Sequence, residues 1–202
     1  TNHKRIWTTV LREVEGLFYE YLEYFDFELK VDMNEVCFSD SAIRVEGPPI
    51  KIVDGLDHLE GKEVSIKADG AVVENQVVDN GEITLEVSAS DIFVGLPFEC
   101  KIITLPYPLN SPTGLRRKLT ELKLCLHKTT NIKAGNSDDT MKVVPFRTNF
   151  DKTGISVPLF SGLKDIVLDG NVEEEPVIIF TSISPTPLTI LFLGVFWESS
   201  QR

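Results

Sequence analysis

Three histidines, three cysteines and 31 acidic residues are the groups with which this 202-residue sequence could do chemistry. A metal site needs ligands that converge, and its signature is close spacing of His, Cys or carboxylates. His3, His58 and His127 stand far from one another and from Cys37, Cys100 and Cys125. No CxxC pair occurs, so the spacing encodes neither a zinc site nor a disulfide framework. Nucleophilic catalysis fares no better. There is no GxSxG, and Asp57-His58, as neighbours on a turn, cannot form a relay by themselves. Ser39-Asp40-Ser41 reads as turn chemistry. Phosphate-cradling loops of the GxxxxGK[ST] or GxGxxG type are missing. A glycosidase would need two carboxylates about 5–9 Å apart across a cleft, and spacing singles out no such pair. Glu173-Glu174-Glu175, next to Pro176, reads as a solvated loop. Arg116-Arg117-Lys118 is the one basic triplet; it could touch phosphate, or form a solvated face paired with the acidic excess. These patterns single out no catalytic residue, no metal ligands and no cofactor site, while a carboxylate pair stays open.

The elements that would position any site are short strands. Glu15-Gly16, Asp54-Gly55, Asp69-Gly70, Asn80-Gly81 and Asp169-Gly170 are turn pairs of the tight hairpin type. Runs rich in Val, Ile, Thr and Phe lie between them, which describes an all-β chain of antiparallel strands with little helix. Residues 1–49 read as an N-terminal β-hairpin and a connecting segment. Ile6 to Val14 pairs across Glu15-Gly16 with Leu17 to Leu29. One side of the second arm carries Leu17, Tyr19, Tyr21, Phe25, Phe27 and Leu29, broken by Glu23; the other carries Phe18, Glu20, Leu22, Tyr24, Asp26 and Glu28. Period two predicts a strand with a buried and a half-wet side. Tyr19, Tyr21 and Phe25 are candidate interface residues; an aromatic row of this kind serves as core or subunit contact, or as a platform for sugar or base.

Residues 34–49 read as irregular, ending at Gly47-Pro48-Pro49. Residues 50–106 then form a small β-barrel or sandwich module, with strands expected at 63–67, 71–78, 82–87, 92–94 and 98–105. Pro106, Pro108 and Pro112 mark a linker, and residues 107–202 supply C-terminal strands that pack on the rest. Leu115, Leu119, Leu122 and Leu126 fit a helical stripe, while Leu122, Leu124 and Leu126 fit strand alternation equally well. Later strands are expected at 165–168, 177–183 and 188–196.

Composition narrows the class. Lys and Arg total 20 against the 31 Asp and Glu, for a formal charge of −11. That balance argues against a broad cationic grip on nucleic acid. The 42% hydrophobic content excludes a disordered chain. The longest apolar stretch, Leu188 to Trp197, is about half of the ~20 residues that cross a bilayer, so no membrane insertion is expected. No signal peptide is read at the N-terminus. The free cysteines fit a reducing compartment. Thr1 in place of Met suggests a processed product or a piece of something longer.

Residues 52–105 resemble a known pattern. Gly55, Leu56, His58, Leu59 and Gly61 open it; Ala68, Asp69 and Gly70 form a turn; Asn80 and Gly81 precede Ile83, Thr84 and Leu85; Val94, Gly95, Leu96, Pro97 and Phe98 close it. This arrangement resembles the C-terminal region of tail nozzle, or tail tubular, proteins of short-tailed bacteriophages. Val144 to Thr148, Pro158 to Ile166 and Pro185 to Leu193 look like later segments of that family. The resemblance implies a structural virion protein of a phage tail, not an enzyme, made in the bacterial host cytoplasm, whose six copies form a ring that continues the DNA channel. Its partners would be copies of itself and other tail or adaptor proteins, with DNA only as passing cargo. It also implies that residues 119–129 form a strand. Gly55, Gly61, Asp69, Gly70, Asn80, Gly81, Gly95 and Pro97 would be turn positions, and His58 would cap or brace the 54–61 turn. The chain lacks the propeller portion of these proteins, so it reads as a C-terminal fragment or a separately encoded version. A non-catalytic β-sandwich module that binds a glycan or another tail protein is the alternative expectation.

Overall fold

The computed structural model describes residues 5–25, 36–106, 116–148, 156–169, 172–173 and 176–200. The fold is all-β and antiparallel, and its helical content among these residues is two single 3₁₀ turns, Asp57–Leu59 and Asp138–Thr140. The chain divides into two compact units, 1–98 and 99–202.

The first unit contains β1 (Ile6–Val14), β2 (Leu17–Phe25), β3 (Asp40–Val53), β4 (Glu63–Ala68), β5 (Ala71–Val77) and β6 (Ile83–Leu96). β1 and β2 form a hairpin by themselves, and the rest form one sheet in the order β3-β6-β4-β5. Val64 and Ile66 of β4, with Ile92 and Val94 of β6, face a core closed by Leu56 and Leu59 from the 54–61 loop. The segment expected to be irregular is instead β3, and the strands expected at 82–87 and 92–94 are one continuous β6. Gly47-Pro48-Pro49 lies inside β3 without ending it. β3 is an edge strand, where a missing N–H costs no ladder bond, and its register with β6 shifts between Glu46 and Ile50.

The second unit holds β7 (Cys100–Ile103), β8 (Arg116–Thr129), β9 (Lys133–Gly135), β10 (Lys142–Val143), β11 (Phe160–Val167), β12 (Val172–Glu173), β13 (Ile179–Ser182) and β14 (Ile190–Ser200). One sheet has the order β10-β9-β13-β7. In the other, β8 is flanked by β14 along one edge and by β11 and β12 along the other. Leu119, Leu122, Leu124 and Leu126 of β8 are all buried in one core with Ile132, Ile178 and Phe180.

The strand reading of β8 leaves one puzzle, since Leu119 and Leu122 are three apart yet share a face. The register resolves it. Glu121 lies opposite Phe196 and Leu119 opposite Trp197, so Thr120 is an extra residue, a β-bulge. The bulge shifts the alternation by one position, which is what mimicked a helical stripe.

Two expected divides fall elsewhere. The one at 49/50 cuts β3, and the one at 106/107 comes after β7, which pairs with β13. The chain changes unit between Phe98 and Glu99.

Candidate interaction surface

The motif residues are spent on holding the first unit together. Asp69-Gly70 and Asn80-Gly81 both have positive φ at each residue, as a type I′ turn requires. Each turn is tied to its surroundings by a carboxylate. Asp69 Oδ1 accepts the backbone N–H of Ser90 and of Asp91, at 3.0 Å each. Glu60 accepts the N–H of Asn80 at 3.1 Å and of Gly81 at 2.7 Å. Gly55 and Gly61 bracket the loop that carries Leu56 and Leu59 into the core. Pro97 follows the last residue of β6. Gly95 differs from its expected role, because it lies within β6 rather than on a turn.

His58 also acts away from its own turn. Its Nε2 donates to the carbonyl oxygen of Ser41 in β3, 3.2 Å away. A carbonyl only accepts, so the proton sits on Nε2. The ring contacts Tyr21 of the hairpin, with centroids 5.9 Å apart. Beside it, Arg12 Nε and Nη2 bond Glu23 at 3.1 and 2.9 Å, Ser41 Oγ donates to the same carboxylate at 2.7 Å, and Arg12 Nη2 also meets Ser41 Oγ. Ser41 has positive φ, at a bulge of β3. This polar node and the Tyr21–His58 contact attach one face of the hairpin to the rest of its unit.

That face is formed by Thr8, Val10, Arg12 and Val14 with their partners Glu23, Tyr21, Tyr19 and Leu17. Among the candidate interface residues on it, Tyr21 is half-buried against His58, while Tyr19 and Phe25 are exposed. The opposite face is more open and more apolar. Trp7, Leu11, Phe18, Leu22 and Tyr24 are all exposed, Leu22 at 69% and Phe18 at 67%. The Trp7 and Tyr24 rings lie 5.2 Å apart, and the Arg5 guanidinium sits 4.4 Å from the Tyr24 centroid. The expected two-sidedness of the hairpin is present in weaker form: Thr8, Val10, Arg12, Val14, Tyr21 and Glu23 on the first face are half-buried, and the second face is exposed throughout. Counting aromatics favoured the tyrosine face. The better signal was the first arm, where Trp7 and Leu11 alternate in phase with Phe18 and Leu22.

The unit also has a polar interior. On the face of the sheet opposite the core, Arg44, Phe93 and Lys67 form a cross-strand row, with both cations against the Phe93 ring. Lys67 is 1% exposed and donates from Nζ to the Val36 carbonyl at 2.6 Å. Ser39 and Ser65 hydroxyls are 2.8 Å apart, and Cys37 Sγ lies 3.4 Å from Ser39 Oγ. Burial pushes the Cys37 thiol up, against the opposing pull of the Ser39 hydrogen bond and the Lys67 charge. A raised thiol is a poor nucleophile, so this cluster reads as structural.

Charge is divided unevenly. Residues 1–98 carry 20 Asp and Glu against 8 Lys and Arg, a net −12; residues 99–202 carry 11 against 12, a net +1. Of the expected exposed run, Glu173 is half-buried and accepts from Asn136 Nδ2 at 3.3 Å; Glu174 and Glu175 lie outside the described residues. Among the described residues no three of His, Cys, Asp and Glu are grouped to hold a metal, and no helix is long and apolar enough to cross a membrane. No protein-family model and no curated protein matches the chain.

Proposed function

We propose that this chain is a structural, non-catalytic component of a phage tail, joining copies of itself and neighbouring tail or adaptor proteins in a ring through which DNA passes. The observation that carries the reading is the β1–β2 hairpin. It holds five large exposed apolar side chains together on one open face, and a contiguous exposed apolar patch marks an interaction site. The motif resemblance supplies the tail context. The net −12 of the first unit supports passage without grip, because carboxylates repel phosphate and release no counterions. The test is compositional. Purified tails should contain this chain in a fixed, ring-forming copy number, visible by mass spectrometry and by imaging of the tail. Its absence from the particle would overturn the reading.

A second reading rests on the exposed Trp7–Tyr24 pair, an aromatic surface of the kind that takes a sugar ring. Binding to a glycan array that is lost in Trp7→Ala would favour a glycan-binding module over a ring component.

A further inference from the structure

The edges of the hairpin carry more information than its faces. The long edge strands of the larger sheets are all interrupted. β3 shifts register three times against β6, β5 once against β4, β11 once and β14 twice against β8. Bulges of this kind, with the prolines of β3, blunt an edge against pairing with another chain. Among the described residues the hairpin has no such guard. Its nine pairs run from Ile6–Phe25 to Val14–Leu17 without a shift, and β1 contains no Pro, Gly or Lys. A two-stranded hairpin is marginal in water, and a sheet of three or more strands is not.

The direction of the free groups follows from the turn. Glu15 and Gly16 both have positive φ, a two-residue type I′ connection, so Val14 and Leu17 form a hydrogen-bonded pair. Alternation then turns the N–H and C=O of Thr8, Val10 and Arg12 toward β2. Those of Trp7, Thr9, Leu11 and Glu13 point to the outer edge.

We infer that in solution β1 of one copy pairs antiparallel with β1 of a second copy, on a two-fold axis at Thr9. This register makes the edge complementary to itself. Leu11 of each copy lies opposite Trp7 of the other, an apolar pair on the open face. Glu13 lies opposite Arg5, the residue just before β1, so that opposite charges meet twice. Moving the axis to Val10 sets Glu13 against Trp7 and loses the charge match. The result is a four-stranded sheet in the order β2-β1-β1-β2 with the apolar side chains of both copies on one surface. A residue facing its own counterpart is the mark of an isologous contact. The inference concerns the free chain in solution and goes beyond the tail assignment, on which it does not rest.

The full chain should sediment as a dimer. Thr9→Cys, mildly oxidised with diamide beside a wild-type control, should give a disulfide-linked dimer, because directly opposed Cα atoms lie within disulfide reach. Arg5→Glu or Glu13→Arg alone should weaken dimerisation by at least about tenfold, and the double swap should restore it. Both positions are exposed, and circular dichroism should show the fold intact in each variant. A monomer at every concentration up to the solubility limit would overturn the inference. So would an associated species that ignores the charge reversals, or one in which Thr9→Cys fails to cross-link.

Discussion

A Cβ atom on Gly95 would sit 2.9 Å from the Cα of Ala42. The same atom would lie 2.9 Å from the Ala42 Cβ and from the Asp40 carbonyl oxygen. Two of those three neighbours are backbone, which cannot swing aside.

Gly95→Ala should therefore destabilise the first unit by about 3 kcal/mol, the upper end for overpacking a tight site. Urea unfolding measures it. Adding Ala42→Gly should recover only a minor part, because the backbone contacts remain. Full recovery would mean that the methyl–methyl clash alone sets the role of Gly95.

The hairpin is attached through few groups, and Tyr21 against His58 is the aromatic one. A double-mutant cycle of Tyr21→Ala and His58→Ala should give a coupling of about 1 kcal/mol. In either variant amide exchange should rise in β1 and β2 while β4 and β6 keep their protection. Uniform loss across the sheet would show instead that His58 supports the core.

Cys37 should be slow to alkylate. Burial holds its pKa above the ordinary thiol value of about 8.5. The folded chain keeps a proton that the unfolded chain releases. The corresponding stability is complete below about pH 8.5 and is lost as the pH rises through the folded value. Iodoacetamide labelling of Cys37, followed by mass spectrometry, should reach half its limiting rate at a higher pH in the folded chain than in urea.

Asp169 gives the opposite sign. Its hydrogen bond to Lys142 and the charge behind it hold the carboxyl below the usual range. The contribution is present above the unfolded value, about 3.9, and is lost as the pH falls through the lower folded value. The pair is exposed, so salt screens it and the effect is small. Asp169→Asn should flatten the acid limb of the stability curve slightly at low salt and leave neutral stability nearly unchanged.

Each unit has its own core and its own tryptophan, Trp7 in the first and Trp197 in the second. Leu122→Ala, at a fully buried site of β8, should cost about 2–5 kcal/mol. In single-tryptophan variants that loss should move the Trp197 transition and leave the Trp7 transition in place. A shift of both by equal amounts would show that the units unfold as one.

The hairpin turns and the class of the fold were legible in the sequence because Glu15-Gly16, Asp69-Gly70 and Asn80-Gly81 write local backbone geometry directly. β3 was not, since Gly47-Pro48-Pro49 carries a breaker signal that an edge position and a register shift cancel, and neither is local information. The bulge at Thr120 hid β8 for the same reason. The site was legible by type and misplaced by face. The sequence marks the hairpin as aromatic on both sides, but which side meets Ser41 and His58 depends on contacts with residues 18 and more positions away. Gly95 was marked as a glycine that matters, while its reason, the closeness of Ala42, is visible only in space.

Thr120 also sets how β8 can change length. The strand carries two apolar patterns that are out of step, and one surplus residue reconciles them. Removing Thr120 would leave Leu119 two positions from Leu122, so plain alternation would keep Arg117 and Leu119 on the core face with Leu122, Leu124 and Leu126, and the bulge would close. Adding one residue beside it would restore the same phase at a spacing of four. In β8 the parity of the spacing between 119 and 122 works like a phase setting: an odd spacing needs the bulge, and an even one does not.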